Sequence, residues 1–360
     1  MPVKNVGLIT IHDTLNYGSL LQTIGLYKAI SNLGINIQLI DYKCKTIAAR
    51  EKIFSWNECH SIKDIIRHFL FYDKLSKKKE NYWSFLRSQV ILTKPYNRTS
   101  IKETNNMFDC FVVGSDIVWG SRITGKDYTF MLDFTDDTKK RIACSSSIGD
   151  KWLEEDYYDV SNCLKRFDAI SVRESQSVNW IREIANMESV HTCDPTMIME
   201  STYWRQFITY DKVPKCKYVL IYMGSKDSLH VKDGIKYGKD HNLPVYYMND
   251  DIPVCGVNNI RPDSVGLWLG LIANAEVVFS ASYHGVLFSL YFQRDFFYYN
   301  NRGSNSRLES LSKEFDIQHR EGNLTNLKNN SQINWSAINC IIENKRNKTK
   351  DYLMQALLKD

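Results

Sequence analysis

Several features are missing from this sequence, and each absence argues against a class of protein. The nine cysteines are scattered and no two form a C-x-x-C pair, which argues against a zinc site and against thiol–disulfide chemistry. No apolar run approaches the roughly 20 residues that span a bilayer, and the apolar run 6–11 is too short for a signal peptide. No internal repeat, low-complexity tract or metal-binding motif occurs. We therefore expect a cytoplasmic protein that holds no metal.

The composition is that of an ordinary globular protein, with 43% hydrophobic and 24% charged residues. A length of 360 residues favours two domains. The net charge of +5 is too small to indicate nucleic-acid binding, although it allows an anionic substrate or peripheral contact with an acidic lipid surface. Aromatic residues make up 12% of the chain, which suits a sugar-binding cleft but is more typical of core packing.

The order of apolar runs predicts an α/β fold with two Rossmann-like domains. A strand over 3–11, a helix over 20–33 and a strand over 35–40 form a β-α-β unit, which implies a parallel sheet with right-handed crossovers. The same alternation restarts near residue 217. We place the first domain at 1–205, the second at 206–325 and a helical tail, which packs back on the first domain, at 326–360.

A helical insertion is expected at about 55–92, within the first domain. Its helical pattern over 62–90 is interrupted by Lys77-Lys78-Lys79, which suggests two helices in a hairpin. We favour a solvated connection between two core-packed helices, because charge blocks are usually exposed. The alternative is a basic and aromatic hairpin that lies on an anionic membrane.

Polar turns follow the predicted strands of the first domain. Asn16, Gly18 and Ser19 open the first helix, where they either bind an anion or substrate or simply cap the helix. The turn is not G-x-G-x-x-G, so no dinucleotide site is predicted. Asp116 follows the buried strand 108–113 as an acid/base group or an N-cap. Arg173 ends the strand 169–172 as a fork for a carboxylate or phosphate, or as the partner of Glu174 in a surface pair.

A further strand, turn and helix occupy residues 275–299 of the second domain. Ser282 and His284-Gly285 open a short helix, and Arg294 follows its end. A helix start carries unpaired N–H groups and a partial positive charge, which suit an anionic ligand that a histidine could hold or protonate. The alternative is a core helix whose histidine only caps a turn.

Taken together, these turns resemble motifs of the polysaccharide pyruvyl transferases. The matching segments, in the same order, are 16–22, 111–116 with Trp119, 170–174, 194–196, 282–285 and 305–307. The resemblance implies a glycosyltransferase-B-like fold, with two Rossmann-like domains that face each other across a cleft. It also implies transfer of pyruvate from phosphoenolpyruvate onto two hydroxyls of a sugar, in a cell-surface polysaccharide or its lipid-linked precursor.

The resemblance and the chemistry of the residues together predict the site. The expected catalytic residues are His284, Asp116 and Arg173. The expected substrate-binding residues are Asn16, Tyr17, Gly18, Ser19, Ser115, Ser282, Gly285, Arg294 and Arg307. Arg294 stands where the family has a lysine followed by proline, so it keeps a cation there in the form of a planar fork.

We expect no metal and no cofactor, with phosphoenolpyruvate as a co-substrate and a sugar or lipid-linked oligosaccharide as the acceptor. Nucleic acid is not an expected partner, and the expected location is the cytoplasm, including the inner face of the membrane. Two alternatives stay open at this point. One is a glycosyltransferase that uses a nucleotide sugar on the same fold, and the other is a non-catalytic binding or assembly protein of polysaccharide biosynthesis.

Overall fold

The computed structural model describes residues 3–52, 62–250, 252–300, 306–323, 326–327 and 332–358. The chain divides into two compact units. The first comprises Met1–Met199 and Glu343–Asp360, and the second comprises Glu200–Ile342. The division at Met199 falls a few residues before the predicted domain boundary, and the end of the tail belongs to the first unit.

The first unit contains a sheet of seven strands in the order β3-β2-β1-β4-β5-β6-β7. The strands are β1 (Asn5–Ile9), β2 (Asn36–Tyr42), β3 (Leu92–Tyr96), β4 (Cys110–Val113), β5 (Lys140–Ser146), β6 (Ala169–Val172) and β7 (Val190–His191). Every neighbouring pair is parallel. The carboxyl ends of all seven strands therefore lie at one edge of the sheet.

Within the described residues up to Met199, six α-helices accompany this sheet. They are α1 (Tyr17–Ser31), α2 (Lys45–Arg50), α3 (Ile62–Gln89), α4 (Ser121–Thr124), α5 (Tyr157–Leu164) and α6 (Ser175–Ala185). Because the strands of a parallel sheet are buried on both faces, they have near-continuous apolar runs. All four residues of β4 are buried, as this rule predicts.

Helix α1 begins three residues before the predicted start. The side chain of Asn16 accepts hydrogen bonds from the backbone N–H groups of Gly18 (2.8 Å) and Ser19 (3.4 Å), which makes it the N-cap. The helix is buried on nearly every side. A Cβ at Gly25 would lie 2.5 Å from the carbonyl oxygen of Pro195, so the helix packs directly against backbone. The first turn is buried although it contains Gly18 and Ser19, so the spacing of apolar residues does not reveal where the helix begins.

Helix α3 is one helix of 28 residues rather than the predicted hairpin. Lysine is a good helix former, so the run Lys77-Lys78-Lys79 does not interrupt it. Lys78 is buried, and its ammonium lies 4.7 Å from the centroid of the Tyr17 ring. Residues 55–61 of the predicted insertion lie outside the described residues.

The second unit contains a sheet of five parallel strands in the order β10-β9-β8-β11-β12. The strands are β8 (Val219–Tyr222), β9 (Val245–Met248), β10 (Asn258–Ile260), β11 (Val277–Ser280) and β12 (Asp295–Tyr298). After Met199, the structure describes the helices α7 (Ser201–Arg205), α8 (Leu229–Asp240), α9 (Val265–Asn274), α10 (Tyr283–Tyr291), α11 (Ser306–Glu314) and α12 (Trp335–Leu358).

Two strands have no sequence prediction, and both lie at a sheet edge. Strand β3 ends the first sheet and contains Pro95, while β10 ends the second sheet and begins with two asparagines. Edge strands tolerate proline and polar residues, because one side of the strand makes no ladder hydrogen bonds. Their sequences therefore lack the apolar run that marks the central strands.

The tail forms the single helix α12, whose last part lies against the first unit. The hydroxyl of Thr349 accepts a hydrogen bond from the backbone N–H of Cys193 (3.1 Å), and the hydroxyl of Tyr352 donates to the carbonyl of Ala143 (2.7 Å). The guanidinium of Arg346 donates to the carbonyl of Met197 (2.9 Å). These contacts tie residues from Glu343 onward to the ends of the first sheet. No helix in the described part of the chain is long and apolar enough to cross a membrane.

We expect His191, next to α12, to make the protein less stable in mild acid. Burial and then the charge of Lys345 lower the pKa of His191 from 6.5 to about 4, against a hydrogen bond to the Arg173 carbonyl that raises it. The neutral ring is therefore favoured in the folded state. The stability that the neutral ring favours is fully present above pH 6.5, the pKa in the unfolded chain. As the pH falls from 6.5 to about 4, protonation of the unfolded state lowers the free energy of unfolding by at most about 3 kcal/mol.

Urea unfolding between pH 7 and pH 4.5 tests this expectation. His191→Gln keeps an N–H donor for the Arg173 carbonyl but cannot be protonated, so its stability should fall less steeply with acid than that of the wild-type protein. Parallel curves for the two proteins would show that His191 does not carry the effect.

Candidate active site

The strand order of the first sheet reverses beside β1. The chain runs from β1 to β2 and β3 on one side and resumes at β4 on the other. Ile9 pairs with Val113, so the loops that follow β1 and β4 leave the sheet side by side. In open α/β sheets, ligands bind at the carboxyl edge beside such a reversal. The segments 10–19 and 114–120 therefore form the candidate site of this unit.

The loop after β1 and the start of α1 hold four of the nine predicted substrate-binding residues, but not all four face outward. Asn16 is exposed, whereas Tyr17, Gly18 and Ser19 are buried. The Ser19 hydroxyl donates to the carbonyl of Ile11 (2.6 Å), so it shapes the loop. The Tyr17 ring is stacked on Tyr82, with centroids 6.5 Å apart. Asn16 is thus the residue of this group that is placed to meet a substrate.

The loop after β4 is fixed by polar side chains of β1 and α1. Gln22, which is fully buried, accepts a hydrogen bond from the Ser115 N–H (3.0 Å) and donates to the Thr10 hydroxyl (3.1 Å). Thr10 in turn donates to the carbonyl of Ser115 (3.2 Å). The Ser115 hydroxyl is buried without a hydrogen-bond partner in the structure as described. The backbone at Ser115 is therefore rigidly held, beside a hydroxyl whose hydrogen-bonding capacity is unused.

A Cβ at Gly114 would come within 1.9 Å of the Cys144 carbonyl oxygen, and the φ angle of Gly114 is +141°. Glycine is therefore required at this close approach of β4 to β5. Asp116, two residues later, has a φ angle of +59° and a carboxylate that is 15% exposed. The turn thus directs the Asp116 carboxylate to the edge of the sheet.

The structure places Arg173 in a buried ion-pair cluster, which does not favour its predicted use as a fork for a substrate anion. Its side chain is 1% exposed, and its guanidinium donates to Asp194 (2.9 Å) and Glu174 (3.3 Å). A third carboxylate, that of Asp116, lies 3.8 Å away. Three carboxylates outweigh one guanidinium, so this cluster does not favour a phosphate. Glu174 belongs to the same buried cluster rather than to a surface pair.

The partners of Arg173 are themselves tightly held. Asp194 accepts hydrogen bonds from the N–H (3.0 Å) and the hydroxyl (2.7 Å) of Thr196. Glu174 accepts from the Ser147 hydroxyl (2.5 Å) and the N–H of Ile148 (3.3 Å). The predicted motifs 170–174 and 194–196 thus meet in one buried network. Through Arg173, that network positions Asp116.

A polar cluster beside the carboxyl end of β1 is absent from the sequence prediction. The ring of His12 bonds the Thr10 carbonyl through Nδ1 and the Asp41 carboxylate through Nε2, both at 3.1 Å. Lys43 binds Asp41 and Asp13, each at 2.9 Å, and lies 4.5 Å from the centroid of the Trp83 ring. The sequence signal was present: a His-Asp pair follows β1, and Asp41 lies near the end of β2.

Charge pairing governs the titration of this cluster. Burial raises the pKa of Asp41, but hydrogen bonds from His12 and Lys43 outweigh it, so the pKa lies below its usual range. For Lys43, burial lowers the pKa and the bonds to Asp41 and Asp13 raise it, with a net increase. Lys43 and Asp41 are therefore both charged near neutral pH.

In the second sheet the strand order reverses between β8 and β11. Ser282 follows β11 and caps α10, since its hydroxyl accepts from the N–H of Gly285 (3.4 Å). A Cβ at Gly285 would lie 2.5 Å from the Ser280 hydroxyl and 2.6 Å from the Tyr222 ring. Glycine thus lets α10 start directly against the ends of both strands.

His284 is the second residue of α10 and is 5% exposed. Its ring meets that of Tyr283 edge-on, with centroids 5.2 Å apart. The prediction that Ser282, His284 and Gly285 open a helix at a strand end agrees with these positions. The first turn of α10 therefore places an imidazole and a helix N-terminus together at the reversal point of the second sheet.

The sequence left the loop after β8 without a candidate, and helix α8, which follows this loop, has a second buried histidine in its first turn. His230 bonds the carbonyl of Met223 through Nε2 (2.9 Å), and burial lowers its pKa. The hydroxyl of Tyr247 donates to the carbonyl of Gly224 (2.6 Å). Both side chains are used to hold the loop, which has positive φ angles at Met223 and Gly224.

The structure does not bring Arg294 together with His284. Arg294 directly precedes β12, whose first residue pairs with Val277 at the start of β11. Ser282 and His284 follow the end of β11, and the nine residues of α10 cover about 13 Å on the way back. Arg294 therefore lies at the amino edge of the sheet, where its Nε donates to the carbonyl of Phe292 (3.2 Å). The predicted role of Arg294 in substrate binding stays a prediction, which this placement does not favour.

We accordingly expect Arg294→Ala to change the donor KM and the turnover number by no more than about twofold, because the side chain lies at the other edge of the sheet. Release of phosphate from phosphoenolpyruvate, the co-substrate that the sequence predicts, measures both constants. An increase of the donor KM by an order of magnitude would show that Arg294 contacts the donor.

Arg307 lies in the first turn of α11, after the carboxyl end of β12, and is half-buried. Arg307 therefore comes after the strand end that lies at the carboxyl edge of the sheet, and His284 comes after a strand end at the same edge. Asn305 of the same predicted motif lies outside the described residues. No group of three or more histidine, cysteine, aspartate or glutamate side chains in the described ranges is arranged to hold a metal ion.

The fold is also similar to that of two solved structures. The S. aureus MnaA–UDP co-structure aligns over 98% of this chain and 91% of that one, with 10% identity and a TM-score of 0.51. A structure described as a UDP-N-acetylglucosamine 2-epimerase from Listeria monocytogenes aligns over 99% and 91%, with 9% identity and a TM-score of 0.50. At these identities the likeness shows the fold alone, which is the glycosyltransferase-B-like fold expected from the sequence.

No curated protein sequence matches the chain. The family model described as polysaccharide pyruvyl transferase matches residues 16–303, which include Asn16, Asp116 and His284. The segment begins at the cap of α1 and ends beyond β12, so it covers most of the chain. The protein belongs to the polysaccharide pyruvyl transferase family.

Proposed function

We propose that this protein transfers pyruvate from phosphoenolpyruvate onto two hydroxyls of a sugar, in a cell-surface polysaccharide or its lipid-linked precursor. The observation that carries the proposal is a proton-transfer side chain at the reversal point of each sheet. Asp116 occupies it in the first unit and His284 in the second. Membership of the family supports the reaction class.

The reaction converts an enol phosphate and a diol into a cyclic ketal and inorganic phosphate. A proton adds to the methylene carbon of phosphoenolpyruvate, which leaves positive charge on the neighbouring carbon. One sugar hydroxyl forms a C–O bond to that carbon, the bond to the phosphate oxygen breaks, and a second hydroxyl closes the ring. Of the two hydroxyl protons, one balances the proton added to the methylene and the other leaves with phosphate.

The second unit is the proposed donor side. The N-terminus of α10 carries a partial positive charge that suits the phosphate and carboxylate of the donor. His284 in its first turn contacts the phosphate or delivers the proton to the methylene carbon, since histidine exchanges protons near neutral pH. Arg307 follows the same edge of the sheet and supplies a cation.

The first unit is the proposed acceptor side. Asp116 takes a proton from an acceptor hydroxyl, and Arg173, 3.8 Å away, is a positioning residue that orients it. The exposed Asn16 and the unpartnered hydroxyl of Ser115 are placed to bond the sugar. One acid–base group of this kind contributes about 10²- to 10⁴-fold to the rate.

We propose that this chemistry requires no bound metal, because a helix N-terminus and fixed cations stabilise the phosphate as it leaves. Treatment with EDTA, followed by removal of the chelate, should leave turnover unchanged. Loss of activity that added Mg²⁺ or Mn²⁺ restores would show that a metal takes part.

Thermal shift and phosphate release test the donor. Phosphoenolpyruvate should raise the melting temperature, whereas UDP-glucose and UDP-N-acetylglucosamine should not. Release of phosphate should depend on an added glycoside. Stabilisation by the UDP-sugars alone would favour a nucleotide-sugar glycosyltransferase, and the absence of any acceptor-dependent phosphate release would favour a non-catalytic protein.

A further inference from the structure

A pocket of about 430 Å³ lies in the first unit, next to the loop after β1. Its lining includes Asp13 from that loop, Glu51 and Lys52 from the end of α2, and Tyr72, Ser76 and Lys79 from α3. The three residues of α3 are spaced four and then three apart, so they share one face of the helix. The volume falls within the range of small-molecule sites.

The pocket is joined to the candidate acceptor site by hydrogen bonds. Glu51 accepts from the backbone N–H of Leu15 (3.0 Å), next to the cap residue Asn16. Asp13 accepts from Lys43 (2.9 Å), which also binds Asp41 in the cluster at the end of β1. The wall of the pocket and the loop that opens α1 are therefore one connected structure.

The pocket offers both kinds of hydrogen-bonding group without internal partners. The hydroxyls of Tyr72 and Ser76 and the ammonium of Lys79 make no hydrogen bond within the described structure, and none of these side chains is fully buried. Asp13 and Glu51 each use a single carboxylate oxygen in the bonds above, which leaves the other as an acceptor. Interleaved donors and acceptors beside an aromatic ring match the hydroxyl-rich, partly apolar surface of a sugar.

We propose that this pocket binds a second sugar unit of the acceptor, adjacent to the sugar that receives the ketal. The inference rests on the proposed function, since it takes the acceptor side to be the carboxyl edge of the first sheet. The ring and hydroxyl of Tyr72 and the hydroxyl of Ser76 contact this second sugar, and the carboxylates of Asp13 and Glu51 accept from its hydroxyls. The enzyme then selects for an oligosaccharide rather than a monosaccharide.

Equilibrium binding tests the pocket without requiring turnover. The probes are p-nitrophenyl glycosides of glucose, galactose, mannose and N-acetylglucosamine, each as a monosaccharide and as a disaccharide, with affinities measured by saturation-transfer NMR. At least one disaccharide should bind about tenfold more tightly than its monosaccharide, as expected for two added hydrogen bonds. The double variant Tyr72→Phe with Ser76→Ala should abolish this preference.

The matched controls are Tyr158→Phe, which alters an exposed tyrosine outside the pocket, and Lys74→Ala, on α3 but not in the lining. Both should keep the preference for disaccharides. Equal affinities for every monosaccharide and disaccharide pair, or a preference that the double variant retains, would overturn the pocket assignment. Failure of the proposed reaction would look different: phosphoenolpyruvate would release no phosphate while the disaccharide preference persisted.

Discussion

His284→Ala should lower the turnover number at least on the order of 10²-fold, because it removes the proton-transfer group at the start of α10. The imidazole is 5% exposed and lies at the reversal point of the second sheet. Phosphate release under saturating phosphoenolpyruvate and acceptor measures the effect. His284→Gln, which can donate a hydrogen bond but cannot exchange the proton, should be similarly slow.

The control for this prediction is His241→Ala, at the end of α8, where the exposed histidine bonds the carbonyl of Tyr237 (2.9 Å) and stacks on the ring of the same residue. It should keep full turnover. Circular dichroism should show that all three variants are folded. Turnover close to the wild-type value in His284→Ala would remove this residue from the catalytic set.

Arg173→Leu should destabilise the first unit by about 3–5 kcal/mol, since it leaves buried carboxylates without their counter-ion. Asp194 and Glu174 have at most 2% of their side chains exposed, so water cannot replace the guanidinium. Urea unfolding monitored by circular dichroism measures the change. If the variant does not fold, Arg173→Lys, which keeps the charge without the fork, should fold with an intermediate stability.

Arg182→Leu is the matched control, because Arg182 forms an ion pair with Glu188 at the surface, where both side chains are more than half exposed. Such pairs contribute about 0–1 kcal/mol. The sequence-based interpretation of Arg173 as a substrate fork makes the opposite prediction. It requires an Arg173→Leu protein with unchanged stability and a much higher KM for phosphoenolpyruvate.

The sequence predicted the elements that apolar periodicity controls. The inner strands β4, β6 and β11 have runs of buried residues, and the turns after them hold predicted motifs at the carboxyl edges. The start of α10 was predictable, because a serine that can cap a helix, Ser282, is followed three residues later by Gly285. This glycine allows the close packing of α10 against the strand ends. The edge strands β3 and β10 and the uninterrupted helix α3 were not predictable, because none of them depends on a continuous apolar run.

The roles of the two arginines show where sequence reasoning stops. Arg173 lies at a strand end, as a substrate-binding arginine would. Its guanidinium instead pairs with Asp194, which is distant in sequence and adjacent in space. Arg294 is close to His284 in sequence, yet α10 carries the chain back to the other edge of the sheet. Which long-range partners a charge meets depends on the packing of strands, and local patterns do not encode it.

The most direct test of the central claim is the mass of the product. The protein is incubated with phosphoenolpyruvate and a panel of synthetic and lipid-linked glycosides, and the products are analysed by mass spectrometry. We predict that one class of acceptor gains the mass of one pyruvate less one water, in step with phosphate release. A glycoside that gains a hexose from a UDP-sugar, or phosphate release without any change in the mass of the glycoside, would contradict the account.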